Sequence, residues 1–159
     1  MSHLNEFETE MDDQEALLRA LCRVGFTRDQ IEVHDRACSM VGYHGTEDNK
    51  VGHIIIRKNN SRIPSDIGWE KKDETYVAHV DNFDYTNPAW IGRGGGPGAP
   101  IYNDRWHINL LNFYNLEKAK LGYEAKGLTC IETKDEKGRL QLRAKFHVTS
   151  EASKIKTRS

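Results

Sequence analysis

No run of the sequence approaches the ~18 apolar residues of a membrane-spanning helix, and the opening "MSHLNEFETEMDDQE" is acidic without the apolar core of a leader. A soluble, intracellular protein without membrane contact is therefore expected. Cysteine is scarce: Cys22, Cys38 and Cys130 are odd in number, far apart and form no CxxC pair. That spacing argues against a disulfide framework and for reduced, buried thiols in a cytosol-like compartment. Neither sign of charge dominates, with Lys+Arg at 23 and Asp+Glu at 24, so the net charge of -1 gives no whole-chain field for polyanions. Only a local patch could bind nucleic acid.

Familiar chemical signatures are absent as well. There is no GxxxxGK[ST] for a phosphate cradle, no HExxH or HxxxH for zinc, no GxSxG elbow for a serine nucleophile and no RNP-like string. The seven histidines offer one arrangement to weigh. His34 precedes Asp35, His79 lies two before Asp81, and His53 would join His79 and Asp81 if their strands paired. No cysteine ligand stands nearby, and ordinary strand histidines explain the pattern more simply. No catalytic residue, metal or cofactor is assigned.

What the sequence does contain is a regular alternation of elements. At 159 residues it fits one domain, able to bury roughly 70% of its unfolded surface. "HLNEFETEM" alternates as a short strand, with Leu4 and Phe7 inward. "DDQEALLRALCRVGF" is a helix capped by Asp12 or Asp13, with Leu17, Leu18, Leu21 and Val24 on one face and Gly25 as its stop. "QIEVHDRACSMVGYHG" reads as a strand kinked near Ala37, followed by a turn around "GTEDNK". The isoleucine triplet of "VGHIIIRK" marks a central strand covered on both faces or a strand packed under a helix. "DIGWEKKDETYVAHVD" has hairpin form about a Lys71–Glu74 turn.

A second helix, "DRWHINLLNFYNLEKAKLGYEAKG", carries a stripe of His107, Leu110, Leu111, Tyr114, Leu121 and Ala125, with Asn103 or Asp104 as cap and Gly127 as stop. "LTCIETKDEKGRLQLRAKFHV" is a hairpin turning at Gly138, with Leu140, Leu142, Ala144 and Phe146 on one face. The expected fold is α+β: a mostly antiparallel sheet with two main helices on one face, in the order β-α-β-β-β-β-α-β-β. Residues 1–148 form the expected single domain, and 149–159 a frayed basic tail with Lys154, Lys156 and Arg158.

Between the second hairpin strand and the second helix lies an irregular stretch, 82–103, containing "WIGRGGGPGAP". Loops of more than about 12–15 residues are uncommon in compact domains unless functional or disordered. "GGGPGA" formally matches GxGxxG/A. A dinucleotide fingerprint, however, must leave a strand and open a helix directly, and here Pro97 removes an amide donor while Pro100 breaks the entry. A partner-binding loop fits better, because Tyr85, Trp90, Arg93, Tyr102 and Trp106 are of the types that dominate binding hot spots.

The Met-Ser-His opening, the early helix, the "DIGWEKKDETYVAHVD" hairpin, the helix "INLLNFYNLEKAKLGYEAKG" and the "KGRLQLRAKF" hairpin together resemble a family of small uncharacterised proteins of cyanobacteria, algal plastids and some of their phages. The likeness spans most of residues 1–148 and rests on order and spacing. The enlarged glycine-rich loop and the basic tail depart from the family pattern. The resemblance implies no catalytic residue, and it places the protein in a cytoplasm or a plastid stroma.

The resulting expectation is a non-catalytic binding or accessory subunit that meets a protein partner through residues 82–106. Self-association through a sheet edge and a structural role in a phage or virus particle are further candidates. The alternative is a nucleic-acid accessory protein. For that role Arg57, Lys58, Arg62, Lys71 and Lys72, helped by Arg143 and Lys145, would contact phosphates while Trp69 and Tyr76 stacked bases.

Overall fold

The computed structural model describes residues 4–42, 47–61, 63, 65–81 and 104–146. Its elements are β1 (Leu4–Glu8), α1 (Gln14–Arg23), a 3-10 turn (Arg28–Gln30), β2 (Ile31–Val41), β3 (Glu47–Ile56), a one-turn α2 (Lys58–Ser61), β4 (Ile67–Lys72), β5 (Thr75–Asp81), α3 (Asp104–Ala125), β6 (Leu128–Lys134) and β7 (Leu140–Phe146). The fold is α+β in the expected order. Its contacts divide it into two compact units, Met1–Tyr114 and Asn115–Ser159.

The first unit is built on a five-stranded antiparallel sheet of order β1-β5-β4-β3-β2. On one face α1 buries Leu17 and Leu21 completely, and α3 adds Leu110 and Tyr114. Fully burying one such leucine is worth roughly 1.5–3 kcal/mol. Register places Ile54 opposite Trp69 and Trp69 opposite Ala78, so these three continue the helix-covered layer. Asp13 caps α1 through Ala16 N at 3.0 Å, and Gly25 ends it at φ 121. The two helices pack together: Arg23 lies over the Phe113 ring, and the Tyr114 hydroxyl accepts the N–H groups of Asp12 and Asp13.

The other face is crossed by the sheet's own β2–β3 ribbon. β3 pairs with β4 only through Ile54, Ile55 and Ile56, and the earlier residues of β3 leave the plane. Lys50, on that departing segment, reaches Glu6 of β1 at 2.8 Å, although β4 and β5 separate β3 from β1 in the sheet. Met40 and Ile55 form a buried cluster with Cys38 packed against it. Asp66 fastens the ribbon: its N–H donates to Val41 O at 2.9 Å and its carboxylate accepts Val41 N–H at 2.8 Å. The triplet Ile54–Ile56 is thus covered on both sides, as its composition requires.

Several boundaries differ from expectation. Glu47–Lys50 is strand rather than turn, because it belongs to the ribbon. The β4–β5 turn shrinks to Asp73–Glu74, with Asp73 in the left-handed region at φ 56. The kink near Ala37 is a register shift between Val33 and Cys38. The thiols are half-buried rather than core residues, and none forms a disulfide. The Leu4 and Phe7 side chains lie outside the described residues.

In the second unit β6 and β7 pair from Leu128–Phe146 to Lys134–Leu140. Asp135 holds the turn by accepting from the N–H groups of Lys137 and Arg139, and Gly138 supplies φ 77. Lys120 of α3 bridges to Glu132 at 3.1 Å and to the buried Glu117 at 3.6 Å. The expected stripe of α3 is interrupted: Glu117 is buried and Ala125 exposed. Leu140 and Ala144 are likewise exposed rather than inward.

Candidate functional site

Strand β2 has four residues, His34 to Ala37, where β3 has only His53 between the paired positions Gly52 and Ile54. A bulge of this size interrupts the ladder, which resumes at Cys38 opposite Gly52, and re-aims side chains. On the other side of β3 the ladder is broken too, because Lys71 N–H donates to the His53 ring at Nδ1, 3.0 Å away, instead of to a strand carbonyl. A neutral His53 therefore carries its proton on Nε2. The two breaks open a cleft of about 380 Å³.

Its walls come from several elements. His34 and Asp35 lie on the bulge of β2, His53 on β3, Lys71 near the end of β4, Asp73 in the β4–β5 turn and Tyr76 on β5. Gln14 closes it at the start of α1. His34 is oriented by Glu32, whose Oε1 meets His34 Nε2 at 2.8 Å and accepts from Arg57 Nε at 3.0 Å. Burial opposes ionisation of Glu32, but the hydrogen bonds from His34 and Arg57 prevail and hold its carboxyl below its ordinary value. Arg57 continues the chain to Asp66 Oδ2 and Ser39 O, both at 2.8 Å.

Three lining groups remain unengaged. Tyr76 is only 2% exposed, yet its hydroxyl makes no hydrogen bond among the described residues. Burial pushes the Tyr76 phenol up, and the Asp13 carboxylate and Tyr114 add to this. The Asp35 and Asp73 carboxylates are exposed and enter no ion pair or hydrogen bond among the described residues. Lys71 places its ammonium 5.6 Å from the centre of the Tyr76 ring.

The residues singled out from sequence fare differently. Tyr85, Trp90, Arg93, Tyr102 and Arg62 lie outside the described residues, and Trp106 lies in the first turn of α3 with its side chain outside them. Arg57 is engaged by Glu32 and Asp66, the Lys58 N–H donates to Asp66 Oδ1, and Lys72 stands 3.6 Å from Glu6 and 3.8 Å from Glu70. Trp69 and Tyr76 are buried beneath the helices and offer no platform for bases, which corrects that version of the nucleic-acid reading. The His53–His79 pairing is corrected as well. β4 separates their strands, and His79 is fully buried with Nε2 at 3.0 Å from Glu70 Oε1 and Nδ1 unpartnered. Among the described residues no group of three or more His, Cys, Asp or Glu is arranged to hold a metal ion.

Sequence reasoning missed Gln14 and Asp73 and gave Tyr76 a contact role only in the nucleic-acid alternative. No local signal marks them, since the cleft depends on the β2–β3 register. No protein-family model matches this chain, and neither does any curated protein or solved structure. No helix among the described residues is long and apolar enough to cross a membrane.

Proposed function

We propose that the protein is a non-catalytic binding domain, an accessory subunit that acts through protein–protein contacts. The observation that carries this reading is the solvent-open cleft at the break in β2, whose Asp35, Asp73 and Tyr76 hydroxyl make no hydrogen bond or ion pair among the described residues. Buried polar groups are ordinarily satisfied within a fold, so one left open in a recess is placed for an outside group. Its described lining includes a carboxylate-oriented imidazole and, among the described residues, no serine, threonine or cysteine for that imidazole to activate, which favours binding over nucleophilic catalysis.

The aromatic and arginine residues of the segment 82–106 supply the larger contact area in this proposal, with Trp90 and Arg93 as anchors. The test is recovery of tagged protein from its native cells, with companions measured by mass spectrometry. A partner at near-equal molar amount, lost in the Trp90→Ala/Arg93→Ala variant while the protein stays folded, is the expected result. Recovery of the protein alone would overturn the reading.

One observation favours a second reading. One side of the β6–β7 ribbon carries Thr129, Ile131, Thr133, Gln141, Arg143 and Lys145, with no acidic residue among them. A two-stranded ribbon with such a side can lie in a nucleic-acid groove. Binding that weakens steeply with salt and depends on Arg143 and Lys145 would support it, and a flat salt response would exclude it.

A further inference from the structure

We propose that the cleft between the β2 bulge and the β4–β5 turn receives the cationic end of a basic side chain, an ammonium or guanidinium group, presented by a protein partner. This rests on the accessory-subunit reading and names the chemistry of its contact. The lining includes Tyr76, nine-tenths buried and with a hydroxyl that makes no hydrogen bond among the described residues, and two carboxylates, Asp35 and Asp73, that enter no ion pair or hydrogen bond among them. A guanidinium meets such acceptors with several N–H donors in a fixed fork, and charge-assisted bonds of this kind are the stronger class of hydrogen bond.

The alternative, an anion, meets three obstacles. The start of α1 would attract one through its dipole, but the Asp13 carboxylate already takes the Ala16 N–H there, and Asp12 and Glu15 stand beside it. Asp13 also acts on the Tyr76 hydroxyl in the sense that disfavours negative charge there. Among the described lining residues, Lys71 supplies one positive charge against the two negative ones of Asp35 and Asp73. Lys71 itself sits over the Tyr76 ring, so the cleft already accommodates one ammonium at its mouth.

The sign of the Lys71 effect separates the two ligand classes. For a cation, Lys71 is a like charge whose removal strengthens binding; for an anion it is the main attraction, whose removal weakens binding. The probes are Nα-acetyl-arginine methylamide, Nα-acetyl-lysine methylamide, the uncharged citrulline analogue and putrescine, titrated into the full chain while the Tyr76 and His53 ring signals are followed by NMR.

The expected result is weak, saturable binding of the arginine or lysine probe and none of the citrulline analogue. Binding should fall about tenfold in the Asp35→Asn/Asp73→Asn variant, whose changes are exposed and leave the amide spectrum native, and should tighten severalfold in Lys71→Met. Equal binding of the citrulline analogue, unchanged binding in the double variant or weakening in Lys71→Met would overturn the proposal. Tighter binding of putrescine than of either amino-acid probe would assign the site to a free amine and overturn the partner side chain. Failure of the probes beside a partner still recovered from cells removes the cleft alone; probe binding without any recovered partner removes the accessory reading and with it the partner that would present the cation.

Discussion

Gly68 on β4 lies directly beneath Met40: a β carbon at Gly68 would stand 2.5 Å from Met40 Sδ and 2.8 Å from its methyl group. No side chain can occupy that distance, so the glycine is what lets the Met40 side chain lie against β4 in its present position. Gly68→Ala should destabilise the protein by about 1–3 kcal/mol, the usual cost of overpacking a filled interior. Because the obstruction is the end of one flexible side chain, Met40→Ala in the same chain should cost less than the sum of the two changes. Urea unfolding of the four members of this double-mutant cycle checks it, and strict additivity would contradict the contact.

Tyr114 closes the entry to α1 from the other helix. Its hydroxyl accepts from the N–H groups of Asp12 at 2.8 Å and Asp13 at 2.9 Å, and donates to Asp12 Oδ1 at 2.9 Å. Tyr114→Phe keeps the ring and removes all three bonds. The expected loss is about 1–3 kcal/mol, the cost of leaving polar groups unsatisfied. Amide hydrogen exchange should accelerate at Asp12 and Asp13 more than at Leu21, deeper in the same helix; uniform acceleration would mean that the ring's packing, not its hydroxyl, was lost.

Two carboxylates make the ribbon's attachment sensitive to acid. A hydrogen bond from Lys50 holds the Glu6 carboxyl below its ordinary value of 4.5 despite partial desolvation, and Lys72 and His79 help. Glu32 is lowered as well, by His34 and Arg57 against the cost of burial. A carboxyl whose folded value is depressed contributes stability above its unfolded value and loses it as pH falls through the folded one. The unfolding midpoint should therefore hold from neutrality to about pH 5 and decline below 4.5. In Glu6→Gln/Glu32→Gln that decline should be shallower, and an unchanged slope would show that these residues do not set it.

Much of this architecture was legible because it is local. Asp13 as cap, Gly25, Gly127 and Gly138 at positive φ, and the isoleucine triplet as central strand all follow from rules that act within a few residues. The ribbon's crossing was not legible, since it depends on Lys50 meeting Glu6 and Met40 meeting Gly68 across 44 and 28 residues. Nor was the cleft. His34 and Asp35 drew attention as a histidine–acid pair, but Asp73 and Gln14 join them only through the register of β2 on β3 and the turn of β4 into β5. The same long-range register placed His53 and His79 on strands that do not pair.

Asp66 tests how firmly the ribbon is anchored. Its side chain is 1% exposed; Oδ1 accepts Lys58 N–H at 2.8 Å, while Oδ2 accepts Val41 N–H and Arg57 Nη1, both at 2.8 Å. An asparagine would fill the space but present an amide donor to one of these donors, leaving Arg57 without its most buried partner. Breaking a buried pair from one side costs about 3–5 kcal/mol, whereas exposed pairs are worth less than about 1 kcal/mol. Asp66→Asn should therefore fall in the first range and Lys50→Met, whose partner Glu6 is largely exposed, in the second. Val41 and Lys58 amides should lose exchange protection only in Asp66→Asn. Equal costs for the two variants would mean that the ribbon is held by packing of Met40 on Ile55 rather than by the carboxylate beneath it.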